Sequence, residues 1–109
     1  MSPSDREAPS AQRLAEIDRL IHEPARFTLV ACLYVVESAD FVFLLRQTGL
    51  TGGNVSSHMS KLEAAGYVDV QKSFVGKRPQ TMFRLTEKGR AAFQGYRTTM
   101  RGLLDQSPE

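Results

Sequence analysis

Cysteine is almost absent from this chain of 109 residues: Cys32 stands alone. One thiol excludes an intramolecular disulfide and fits a reducing compartment, so a cytoplasmic location is expected. Long apolar runs are missing too. The longest, Phe27 to Val36, is ten residues, too short to cross a bilayer, and no membrane partner is expected. The opening stretch MSPSDREAPS lacks the apolar centre of a secretory signal. Its Ser, Pro and charged residues make residues 1–9 an expected disordered tail. The remaining length suits one domain, residues 10–105, whose modest core a second subunit would help to complete.

Acidic residues are scarce in the second half. Residues 1–45 hold four Arg against seven Asp and Glu, whereas residues 46–101 hold ten Lys and Arg against Glu63, Asp69 and Glu87. That asymmetry fits either a polyanionic partner or a merely solvated basic surface. Metal-ligand clusters are missing: His22, Cys32 and His58 are far apart and lack ligand spacing, so no metal or cofactor is expected. Cys32 sits among Leu29, Leu33 and Val36 and reads as a core thiol, since nothing nearby would lower its pKa.

What is present is a succession of periodic segments. Leu14, Ile17 and Ile21 recur at helical spacing and predict a helix from Ser10 to Ile21. Pro24 suits the first turn of a second helix. That helix, carrying Phe27, Val30, Ala31, Tyr34 and Val35 on one face and Leu29, Leu33 and Val36 beside them, is apolar nearly all round and should be central. Ser38 or Asp40 can cap a short helix, FVFLLRQT, that Gly49 ends. Thr51 can cap a further helix reaching about Ala65. After Gly66 the period changes to two. YVDVQKSF and QTMFRLT alternate, and VGKRP between them predicts a hairpin with a loose, basic tip. Thr86 then caps a last helix to about Leu104, weakened by Gly89 and Gly95 and expected to need packing, including against a second copy of itself.

The stretch LTGGNVSSHMSKLEAAGYV, Leu50 to Val68, poses the functional question. It matches neither G-x-G-x-x-G nor G-x-x-x-x-G-K-[ST], and no strand precedes it, so it is not a nucleotide loop. Ser56, Ser57 and His58 are neighbours that point different ways on one helix, without an orienting acid, so no catalytic triad and no enzyme is expected. At 100° per residue Val55, Met59 and Leu62 share a narrow arc. Gly53, Asn54, Ser57, Ser60 and Lys61 lie opposite, with Ser56 and His58 flanking. A small, hydrogen-bonding outer face suits a helix lying in a DNA major groove. The glycine pair either admits close backbone approach or simply loosens the turn, and His58 either reaches DNA or packs at the rim.

The run LTGGNVSSHMSKLEAAGYVDVQKSF, followed by GKRPQTMFRLTEKGRAAF, resembles the winged-helix transcriptional regulators of the MarR/ArsR-like group. A small stand-alone winged-helix DNA-binding family sharing L-T-x-x-N-x-S-x-H-x-x-K-L-E-x-A-G-Y is most similar. The resemblance covers about residues 20–95. It implies a mostly α winged helix-turn-helix with a β-hairpin wing and a homodimer formed by the terminal helices. Double-stranded DNA would be the partner. Gly53, Asn54, Ser56, Ser57, His58 and Lys61 of the recognition helix would meet it, and Lys77 and Arg78 of the wing would touch backbone or minor groove. From its place at the end of the short helix, Arg46 could also reach backbone phosphate. The resemblance names no small-molecule effector, although a pocket between dimer helices and core is compatible with one. A winged helix serving as a protein-interaction module, its basic face on an acidic partner, is the alternative.

Overall fold

The computed structural model describes residues 11–105. The tail expected over residues 1–9, and Ser10, lie outside the described residues. The elements run α1 (Ala11–Ala15), α2 (Pro24–Val36), β1 (Ser38–Asp40), α3 (Phe41–Thr48), α4 (Gly52–Ala64), β2 (Val68–Val75), β3 (Arg78–Leu85) and α5 (Glu87–Asp105). This is a winged helix-turn-helix: α3, the turn and α4 form the helix-turn-helix unit, and the β2–β3 hairpin is the wing.

α2 starts where its chemistry dictates. Pro24 occupies the first turn, and the Glu23 carboxylate accepts from Ala25 N at 3.1 Å and Arg26 N at 2.8 Å, satisfying two orphan donors. Leu29, Val30 and Leu33 are buried in the core. The helix is central as expected, packing against α3, α4, α5, β1 and β3, yet one stripe of it stays open: Val35 is 79% exposed and Phe27 39%.

The first expected helix is much shorter than its periodicity suggests. α1 has five residues, and residues 16–23 form turns and bends. The cause is Asp18, whose Oδ1 accepts from Leu20 N at 2.9 Å and Ile21 N at 3.2 Å. A side chain that bonds nearby backbone competes directly with helix continuation. Ile21 still reaches the core, fully buried, through the loop rather than along a helical stripe.

α3 and α4 follow their caps. Asp40 accepts from Phe43 N at 2.7 Å and Thr51 from Asn54 N at 3.2 Å. The α4 stripe of Val55, Met59 and Leu62 is buried. β1 is a strand where only a helix cap was expected. It lies antiparallel to β3, giving the order β1-β3-β2, with Ala39 opposite Phe83.

The wing tip is tight rather than loose. Val75 pairs with Arg78, leaving a two-residue turn of Gly76 and Lys77, and Arg78 and Pro79 already belong to β3. Of the two turn residues only Gly76 has positive φ, 65°, the pattern of a type II′ turn whose twist matches the flanking strands.

α5 begins at Thr86, whose Oγ1 accepts from Gly89 N at 3.0 Å and donates to Gly66 O at 2.6 Å. Gly89 does more than weaken the helix. A Cβ there would run into the carbonyl oxygen of Tyr67 and come 2.8 Å from Leu85 Cδ1. Its absence lets α5 sit directly on the base of the wing.

Candidate nucleic-acid interface

α4 presents the outer face its spacing calls for. Gly53, Asn54, Ser56, Ser57, Ser60 and Lys61 are exposed, while Val55, Met59 and Leu62 anchor the opposite side. The Thr51 cap uses only one of the free N–H groups at the helix start, so that end keeps its partial positive charge.

His58 is placed differently from its neighbours. Its side chain is 18% exposed and turned toward the start of α2. Arg26 Nη1 lies 3.2 Å from its Nδ1, and Glu23 Oε2 lies 3.7 Å from the same nitrogen. A guanidinium only donates, so Nδ1 is the acceptor in the Arg26 contact. His58 therefore ties α4 to α2 at the rim. Glu23, which sequence reasoning passed over, joins that contact. Its carboxyl is held below the usual range, chiefly by the Arg26 backbone N–H, against a smaller opposing effect of burial and with help from Ala25 N–H, His58 and Arg26. Its position one residue before Pro24 was the available signal.

The wing stands beside α4. A groove of about 370 Å³ separates them, lined on one side by Ser56, Met59, Ser60 and Glu63 and on the other by Val70, Lys72, Thr81 and Phe83. A second groove of about 480 Å³ runs from α3 to the wing tip. Asp40, Val42 and Arg46 line it from one side and Val75, Arg78, Pro79 and Gln80 from the other. Phe41 and Thr81 line both grooves. Arg46 and Arg78, distant in sequence, share the second groove, and Lys77 adjoins Arg78 in the turn. Lys72 was not singled out in the sequence. It shares the strand face of Val68 and Val70, which runs out beyond the core.

Among the described residues, Arg46, Lys61, Lys72, Lys77 and Arg78 have no carboxylate within ion-pair distance; the ion pairs found join Glu23 to Arg26 and His58. The remaining positive charge of the second half is not all free. Arg90 and Arg97 stack on the Tyr34 ring at 4.7 and 5.7 Å, and Lys88 lies 5.8 Å from the Tyr67 ring centre. Those three serve packing around α5.

Cys32 is half-buried against the core, and burial pushes its thiol pKa up, which keeps it protonated and unreactive. Among the described residues no group of three His, Cys, Asp or Glu side chains could hold a metal ion. No helix among them is long and apolar enough to cross a membrane.

Comparison with known proteins places this geometry. Residues 25–104 match the family model of the winged helix DNA-binding domain. The uncharacterized protein MJ0432 of Methanocaldococcus jannaschii is 36% identical over 78 residues, which cover 72% of this chain and 85% of that protein. Among solved structures, a transcriptional regulator homologue from Pyrococcus horikoshii OT3 superposes with a TM-score of 0.80 at 26% identity, covering 86% of this chain and 95% of that one. NadR in complex with 4-hydroxyphenylacetate shares the fold at TM-score 0.67 and 18% identity, covering 86% of this chain and 66% of NadR.

Proposed function

This chain belongs to the winged helix DNA-binding domain family, and we propose that it is a transcriptional regulator that binds duplex DNA as a homodimer. α4 enters the major groove with Gly53, Asn54, Ser56, Ser57 and Lys61 toward the bases and phosphates, and His58 at the rim. Lys77 and Arg78 of the wing, with Arg46, grip the flanking backbone. One observation carries this reading: Lys72 lines the groove beside the polar face of α4 and Arg46 and Arg78 line the neighbouring groove, and none is neutralised by a carboxylate among the described residues. Unpaired cations beside a small polar helix face meet the needs of phosphate contact and base readout.

Dimerisation draws support from the apolar side chains left uncovered near the two ends of the chain. Leu14 of α1 is 48% exposed and Leu104 of α5 is 67% exposed. Two-fold pairing through these helices would set half-sites about one turn of DNA, ~34 Å, apart or a multiple of it. A cleft lined by His22, Glu23, Pro24, Phe27 and Tyr96 offers a place for a small-molecule effector, as the NadR complex illustrates for the same fold.

The test is a fluorescence-anisotropy titration of the chain with mixed-sequence duplex DNA at several salt concentrations. Affinity should fall steeply with salt. Lys77→Ala combined with Arg78→Ala should weaken binding on all sequences and flatten the log–log salt slope by about two units. Absence of binding at low salt would point instead to a protein-interaction module.

A further inference from the structure

The inner face of the wing continues beyond the body of the protein. In the β2–β3 register Val68 faces Leu85 and Val70 faces Phe83, and these pairs pack on the core. The next pairs on the same face are Lys72 with Thr81 and Phe74 with Pro79. Phe74 lies four positions beyond Val70, so the Phe74–Pro79 pair stands about 13 Å past the last core pair. Nothing among the described residues covers it: Phe74 is 71% exposed. Two features make this pair rigid. It lies next to a two-residue turn, and the ladder alternation puts it at a non-hydrogen-bonded position. Pro79 therefore forfeits no ladder bond, and the two side chains are close.

We propose that Phe74, backed by Pro79, is an apolar wedge that enters the DNA minor groove beside the α4 contact and partly unstacks a base step, bending the duplex. The inference rests on the duplex-DNA reading above. Charge selects DNA as the occupant. Lys72 precedes the wedge on its own face, Lys77 forms the turn beyond it, and Arg78 follows, with no ion-pairing carboxylate on any of them among the described residues. Position agrees, because Lys72 of this face lines the groove against Ser56 and Ser60 of α4. An apolar ring on a cationic prong, next to a helix that reads the major groove, is placed for the adjacent minor groove. Phe and Pro are both among the side chains that wedge between base steps there.

A duplex of about 30 base pairs, rich in flexible TA steps and labelled at both ends for energy transfer, reports bending. The intact chain should raise the transfer efficiency. Phe74→Ala should abolish most of that rise and weaken binding about tenfold, the scale of one aromatic–base stack. Its salt slope should stay unchanged, unlike that of the Lys77/Arg78 double variant. Phe74→Leu, which keeps an apolar wedge, should recover part of the bend. Circular dichroism of Phe74→Ala should match that of the parent, since the ring is uncovered. Equal bending and affinity for the parent and Phe74→Ala overturn the wedge while leaving the regulator reading intact. A change in subunit number on Phe74→Ala, without a change in bend, also overturns it. Failure of the intact chain to bind the duplex at low salt overturns both.

Discussion

At the scale of single residues, Gly89 controls how closely α5 approaches the wing. A Cβ at this position has no space before the Tyr67 carbonyl, and that carbonyl already accepts from Thr86 N at 3.0 Å. The neighbour is backbone, so it cannot swing aside. Gly89→Ala should therefore destabilise the chain by about 2–3 kcal/mol, although alanine favours a helix elsewhere; urea unfolding followed by circular dichroism measures it. Gly95→Ala is the control. No atom lies within 4 Å of its added Cβ, so the change should stabilise by about 0.5–1 kcal/mol. The sequence marks both glycines as helix-weakening and cannot separate them, because the obstacle at Gly89 is a residue 22 positions earlier (89 − 67).

At the scale of elements, the loop between α1 and α2 depends on one side chain. Asp18 bonds Leu20 and Ile21 backbone N–H groups with Oδ1 and accepts from the Tyr67 hydroxyl at 2.5 Å with Oδ2. Tyr67 is pushed up to about 12 from an ordinary 10 by burial first, then by the hydrogen bond and charge of Asp18. A raised pKa in the folded state means that its contribution is complete below about pH 10. It is lost as pH rises toward 12. Tyr67→Phe should lower stability by about 1 kcal/mol at neutral pH and flatten the decline above pH 10, as chemical denaturation at a series of pH values would reveal. The same loop shows what local sequence signals miss. Leu14, Ile17 and Ile21 have helical spacing, but the Asp18 carboxylate offers a competing partner for the backbone, and α1 stops at Ala15. β1 is equally hard to read, since three residues pairing with β3 over 40 positions away (84 − 38 = 46) carry no period of their own. α4 is legible throughout, because its cap, buried stripe and outer face all lie within Thr51 to Ala65. The grooves beside it are not, because Arg46 meets Arg78, and Lys72 meets the outer face of α4, only through tertiary packing.

At the scale of the whole molecule, one side of α2 and the ends of α1 and α5 expose apolar surface that a single chain leaves wet. Phe27, Val35, Leu14 and Leu104 are all exposed. The homodimer reading predicts a particular response to Leu104→Lys. The residue is 67% exposed, so a monomer should tolerate the change within about 0.5 kcal/mol. Light scattering should nevertheless report a shift from dimer to monomer. DNA affinity should fall with it, even though the added positive charge would by itself strengthen binding. Unchanged mass would remove the C-terminal helix from the dimer contact.

Glu23 links these scales. Its carboxylate holds the first two free N–H groups of α2 and touches both Arg26 and His58, while the residue also lines the cleft with Phe27 and Tyr96. Any ligand that drew that carboxylate into the cleft would take it from His58 and from the start of α2 together. Cleft occupancy and the seating of α4 would then be reciprocally coupled, so that DNA, by favouring one placement of α4, would in turn change the affinity of the cleft.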